Sequence, residues 1–204
     1  MSKQPAGSAG GPPATRARGW HDRGYLPHCD ADGVVQMVTY RLADSLPQEL
    51  SPDPGNGEER RRRTDALLDR GFGSCLLRRP EIAELIIGNW LRFDGDRYRL
   101  WAWVVMPNHV HLVLEIPPNA SLSPIVHSWK SYTAHRIRQL VGGTGRLWQP
   151  DYYDRFIRDD AHFLAAVDYV EHNPVKAGLV TSPKEWPFST AYDSHNSSSP
   201  KAMR

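Results

Sequence analysis

Residues 103–115 read Trp-Val-Val-Met-Pro-Asn-His-Val-His-Leu-Val-Leu-Glu, two apolar runs joined by Met106-Pro107-Asn108. Apolar runs broken by a Pro-Asn pair and resumed at once predict two strands paired antiparallel across a short link. The period of two along a strand puts His109 and His111 on one face, about 7 Å apart, and Val110, Leu112, Leu114 and Ile116 on the other. One face packs on a core while the other presents two imidazoles close enough to share a metal ion. The His-x-His spacing is a weak signal by itself, because a hydrogen-bonded pair at a sheet edge explains it as well. Its meaning depends on the segments around it.

A further strand is expected at 34–42 and helices at 58–70 and 80–93, the second opened by Pro80 and carrying Ile82, Leu85, Ile86, Ile87 and Trp90. Asp94-Gly95-Asp96 turns the chain into a strand at 97–105. After the histidine strand, Ser123 as N-cap and Pro124 at the first helical position predict a helix running to Leu140. Val126, Trp129, Thr133, Ile137, Leu140 and Val141 form its apolar stripe, and Tyr132 lies about 90° away on the flank. A boundary tyrosine usually packs its ring and wets its hydroxyl. A glycine-rich loop at 142–145 follows, then a helix near 160–172 that Asn173-Pro174 is expected to stop. Strands mixed with helices and paired by a local hairpin predict an α+β fold: an antiparallel sheet with helices packed on it, its histidine face turned toward the Tyr132 helix.

The length of 204 residues suits one domain, placed at 19–189, between tails at 1–18 (Gly, Pro and Ala) and 190–204 (Ser-rich) that read as disordered. No run approaches the ~18 apolar residues of a membrane span, and no secretory signal opens the chain, so a cytoplasmic location is expected. Cys29 and Cys75 read as reduced packing residues. A formal net charge of +2 does not announce a nucleic-acid binder. The run Arg60–Arg63 reads first as a solvated helix face and second as a phosphate-tracking patch. Trp148, Tyr152, Tyr153, Arg155 and Arg158 interleave aromatic rings with guanidinium groups, the mixture that stacks unpaired bases, although half of them are expected in the core.

The combination "VVMPNHVHLVLE", "WKSYTAHRI", "GRLWQPDYYDRFIRDDAHF" and "YVEHNPVKAGLV" resembles the REP-associated tyrosine transposases, in the transposase branch of the HUH single-strand DNA nucleases. The resemblance implies a ferredoxin-like core and metal-dependent cutting and rejoining of single-stranded or hairpin DNA through a 5′-phosphotyrosine. It implies Tyr132 as nucleophile and a divalent ion, magnesium or manganese, on His109 and His111. A third ligand about one turn beyond the nucleophile falls to His135, with Gln139 two turns away and out of reach; Glu115, on the same strand face as the histidines, is a further possibility. Lys130, Arg136, Trp148, Tyr152, Arg155, Arg158 and Lys176 are the expected DNA contacts, in a monomer or homodimer without membrane association. Two other readings stay open. One is a catalytically silent DNA-binding protein on the same fold, and the other a His-metal hydrolase that activates water without a tyrosine.

Overall fold

A computed structural model describes residues 20–22, 27–29, 34–47, 57–118 and 120–192. The expected tail at 1–18 lies outside the described residues, as does that at 190–204 from residue 193 onward. Thr190 and Ala191 belong to the folded part. Thr190 Oγ1 accepts from the Trp103 amide at 2.6 Å, and Ala191 is buried.

The strands β1 (Trp20–Asp22) and β2 (Pro27–Cys29) form a small antiparallel ribbon of their own. The main sheet contains β3 (Val35–Arg41), β4 (Arg99–Val105), β5 (His109–Glu115) and β6 (Tyr153–Phe156) in the order β4-β5-β3-β6, antiparallel throughout. With α2 (Pro80–Leu91) between β3 and β4, and α3 (Leu122–Val141) between β5 and β6, the chain follows the β-α-β-β-α-β path of a ferredoxin-like core. Two further helices, α1 (Gly57–Leu68) and α4 (Asp160–Lys176), are added to it.

Which helix covers which face decides where any chemistry can occur. Thr39 and Tyr40 are neighbours in β3 and therefore point to opposite sides of the sheet. On the Tyr40 side lie α2 and α3. Trp90 Nε1 donates to the Tyr40 hydroxyl at 3.0 Å, Trp129 Nε1 to the Tyr98 hydroxyl at 3.1 Å, and Trp148 packs edge-on to Tyr40 at 4.9 Å between ring centroids. Each of these large side chains is buried with its polar atom paired, so the layer gains apolar burial of about 1.5–3 kcal/mol per side chain without orphaned donors. On the Thr39 side lie α4 and α1. The Tyr169 ring of α4 stands 5.5 Å from His111, and Asp69, just past the end of α1, reaches toward His109.

The Met106-Pro107-Asn108 link closes the β4–β5 hairpin as expected, and neighbouring loops hold it. The Met106 amide bonds His109 O, the Leu42 amide bonds Asn108 O and the Leu77 amide bonds Pro107 O, at 2.9, 2.9 and 3.1 Å. Two boundaries differ from expectation. The N-cap of α3 is Ser121 rather than Ser123, one of the small shifts common at helix starts. α4 runs through Asn173-Pro174 to Lys176. Pro174 sits within the final turn, where its lost amide costs one hydrogen bond, and termination falls to Gly178 at φ +70°. The outer edge of β4 is covered: Val105 N donates to Phe188 O, and Trp186 Nε1 donates to Val105 O.

Candidate functional site

The β5 alternation sends His109 and His111 to the same face, where both are fully buried. Their Nε2 atoms approach to 3.0 Å, and each Nδ1 is tied back to the scaffold. Asn108 Nδ2 donates to Phe72 O at 3.0 Å, which turns Asn108 Oδ1 toward His109 Nδ1 at 2.7 Å. An amide oxygen only accepts, so His109 carries its proton on Nδ1 and its Nε2 is a lone pair. His111 Nδ1 meets the Thr39 hydroxyl at 2.7 Å, and a hydroxyl can donate or accept. A proton on His111 Nε2 bridges the pair when no cation is present. With Thr39 accepting instead, both Nε2 lone pairs are free for a cation, and each ring is held through its other nitrogen as metal-binding imidazoles are.

Burial keeps both rings neutral. His109 is held well below the ordinary histidine range by desolvation, with the nearby charge of His111, Lys176 and Arg41 adding to it. His111 is pushed down to about 3 by desolvation and by Arg61 and Lys176. Neutral imidazoles are ready ligands at neutral pH. Among the described residues no three His, Cys, Asp or Glu side chains are grouped to hold a metal, so a third donor has to be of another type. Asn173 is fully buried, and neither its Oδ1 nor its Nδ2 has a hydrogen-bond partner among the described residues. It lies four residues after Tyr169, on the same side of α4, between the contact with His111 and Lys176, whose Nζ pairs with Asp69 Oδ2 at 3.1 Å. Asp69 Oδ1 is also unpartnered, 4.0 Å from His109 Nε2. Two imidazole nitrogens, an orphaned amide oxygen and a nearby carboxylate suit a divalent cation.

Tyr169 completes the cluster. Its hydroxyl donates to Asp65 Oδ2 at 2.8 Å, and Asp65 is only 3% exposed. The Arg61 guanidinium lies 5.7 Å from the Tyr169 ring centroid and the Lys176 ammonium 5.3 Å from it. Arg41, half-buried in β3 directly across from His109, donates to Ser45 Oγ at 3.0 Å. Three cations therefore surround the histidine pair.

Tyr132 does not belong to this site. It is 49% exposed on α3, and the buried face of that helix, Trp129 and Thr133, meets the Tyr40 side of the sheet. The sheet stands between it and the histidines. His135 goes with it: it is exposed on α3 and bonds Gln139 at 3.1 Å, so it is not a third ligand. Glu115 ends β5, four residues and about 13 Å from His111. Trp148 and Tyr152 are core residues, 3% and 7% exposed, and offer no surface for stacking bases. Lys130 donates to Pro150 O at 2.7 Å and has its pKa pulled down to about 8, mainly by desolvation. Arg136 is exposed on the far side of the sheet from the histidines. Arg155 lies on β6 opposite Met37, on the histidine face, and Arg158 just beyond that strand. Lys176 is at the site itself. Arg61 departs from a solvated helix face, since its side chain is only 12% exposed and bonds Asp65. Arg63, paired with Glu59 and 67% exposed, fits that description.

The sequence reading passes over Tyr169, Asn173, Asp65 and Asp69. The signal for the first two is the Tyr-x-x-x-Asn spacing in "YVEHNPVKAGLV", one helical turn, which becomes visible once the helix is carried through Pro174.

The family described as "Transposase IS200 like" matches residues 92–173, a segment holding His109, His111, Tyr169 and Asn173. A REP-associated tyrosine transposase of Escherichia coli (strain K12) is 33% identical over 102 residues, 49% of this chain and 59% of that protein. Over this part of its length the chain is similar to the REP-associated tyrosine transposases. A Haemophilus influenzae protein provisionally given the same name is 30% identical over 97 residues, 42% of this chain and 54% of its own length. The matches thus span little more than half of these relatives. A solved REP-associated tyrosine transposase bound to a REP hairpin shares the fold, with a TM-score of 0.57 and 23% identity over 85% of this chain and 82% of that one. Among the described residues no helix is long and apolar enough to cross a membrane.

Proposed function

We propose that this chain cuts and rejoins single-stranded or hairpin DNA with Tyr169 as the nucleophile. The observation that carries the reading is the contact of Tyr169 with the buried His109/His111 pair, while Tyr132 lies behind the sheet. His109, His111 and Asn173 are the residues that would hold a divalent ion, with Asp69 beside them. Bound there, the ion would supply Lewis-acid polarisation of a phosphate oxygen. The chain's own groups do the rest. Arg41 and Lys176 offer positive charge to a phosphodiester, and α4 sets the Tyr169 oxygen beside the same spot. Attack by that oxygen on phosphorus forms a 5′-phosphotyrosine and frees a 3′-hydroxyl. One phosphodiester replaces another, so resealing requires no nucleotide cofactor.

Manganese or magnesium is to be supplied in the test, with an oligonucleotide hairpin whose leaving strand diffuses away. Wild type and Tyr132→Phe should form a covalent adduct stable to denaturation, and Tyr169→Phe should not. An adduct from Tyr169→Phe refutes the assignment. Metal-dependent cleavage by wild type without any adduct favours the water-activating hydrolase, and hairpin binding without cleavage favours a silent DNA-binding protein.

A further inference from the structure

A tyrosine buried beside a carboxylate is a poor nucleophile, because loss of its proton is opposed by desolvation and by the neighbouring negative charge. Tyr169 is half-buried, and its hydroxyl is hydrogen-bonded to the buried Asp65 carboxylate. Its proton leaves as it attacks, to an acceptor already in contact. Asp65 is that acceptor by geometry. Its Oδ2 lies 2.8 Å from the Tyr169 oxygen, and the same atom accepts from Arg61 Nη1 at 2.9 Å.

We propose that Asp65 is the general base for the Tyr169 attack and that Arg61 positions it, an inference that rests on Tyr169 being the nucleophile. The two residues are one helical turn apart on α1, so the dyad is built into one element and presented as a unit to α4. The groups facing Asp65 are Arg61 and Asp69 from the α1 segment, Tyr169 and Lys176 from α4, and Tyr153 from β6. Burial raises the Asp65 carboxyl above the usual range, which makes it a better base than an exposed aspartate, while Tyr169, Arg61 and Lys176 pull against that rise.

The step balances as follows in atoms and charge. The Tyr169 O–H bond breaks and its proton goes to the Asp65 carboxylate, the phenolic oxygen bonds to phosphorus, and the bond from phosphorus to the 3′-oxygen breaks. A water molecule protonates the departing 3′-oxygen and releases hydroxide to solvent. In resealing, the 3′-hydroxyl attacks the phosphotyrosine, its proton passes to solvent, and the tyrosine oxygen recovers its proton from Asp65.

Single-turnover cleavage of the hairpin oligonucleotide with manganese tests the proposal, with rates measured on complexes already bound. Asp65→Asn should bind the hairpin as wild type does and cleave about 10²–10⁴-fold more slowly. Asp65→Ala, whose truncated side chain leaves room for a small acid, should recover rate saturably with added formate. A purely structural aspartate would show no such rescue. An Asp65→Asn rate within about threefold of wild type overturns the proposal, as does an Asp65→Ala defect that formate leaves untouched. Failure of the nucleophile assignment is read separately, as an adduct that persists in Tyr169→Phe.

Discussion

At the scale of single residues, the histidine pair depends on groups that never touch a ligand. Asn108 sets the tautomer of His109, and the Thr39 hydroxyl holds the His111 ring through Nδ1 in either tautomer. Thr39→Val keeps the shape and removes the hydroxyl, and manganese affinity measured by calorimetry should fall about 10–100-fold. Unchanged affinity would remove the hydroxyl from the site. The buried rings also tie stability to pH. His111 is held at about 3 in the folded chain, against 6.5 as its ordinary value. Between these values the unfolded chain binds a proton that the folded one refuses. The contribution is therefore present above about 6.5 and is lost as pH falls below it, at up to ~1.4 kcal/mol per pH unit. Urea melts at pH 7 and pH 5 should show a larger acid loss for wild type than for His111→Asn. Asp65 and Asp69, whose carboxyls are shifted upward, are common to both proteins and cancel in the comparison. Equal losses would contradict the neutral buried imidazole.

At the scale of elements, the β4–β5 hairpin was legible because alternation names both faces of a strand and the Met-Pro-Asn link fixes the pairing. The apolar stripe of α3 was legible for the same kind of reason over its first four members: Val126, Trp129, Thr133 and Ile137 are all buried, whereas Leu140 and Val141, in the last turn, are exposed. What a helix stripe does not encode is which face of the sheet receives it. The β5 residues Val110, Leu112 and Leu114 form the more apolar face, and α2 and α3 cover that one. The polar face is left to α4 and α1, which lie far from β5 in sequence. Pro174 hid the second half of the answer, since reading it as a helix stop cuts Asn173 from the turn that carries Tyr169. A loop supports the site from below. Gly73 has φ +82°, and a Cβ there would fall 2.4 Å from the Asp44 carbonyl oxygen. Gly73→Ala should cost about 1–3 kcal/mol of stability by urea denaturation. It should also weaken manganese binding, because neighbouring Phe72 orients Asn108. A stability matching wild type would show that the loop moves aside freely.

At the scale of the whole molecule, the sheet divides the protein into a structural side and a chemical side. The aromatic residues that look suited to stacking bases, Trp148 and Tyr152, are spent on the core. The charges that suit a phosphodiester, Arg41, Arg61 and Lys176, gather on the histidine side. Binding and cutting should separate accordingly. His109→Ala should abolish metal-dependent cleavage while hairpin affinity, carried by phosphate contacts over a wider surface, changes little. Loss of both together in a folded variant would mean that the histidine pair itself anchors the DNA. The central claim is the identity of the nucleophile, and peptide mapping of the covalent DNA adduct by mass spectrometry tests it most directly. The account predicts a phosphotyrosine at Tyr169, on the α4 peptide that also carries Asn173. A phosphotyrosine at Tyr132, on the opposite side of the sheet, would contradict it.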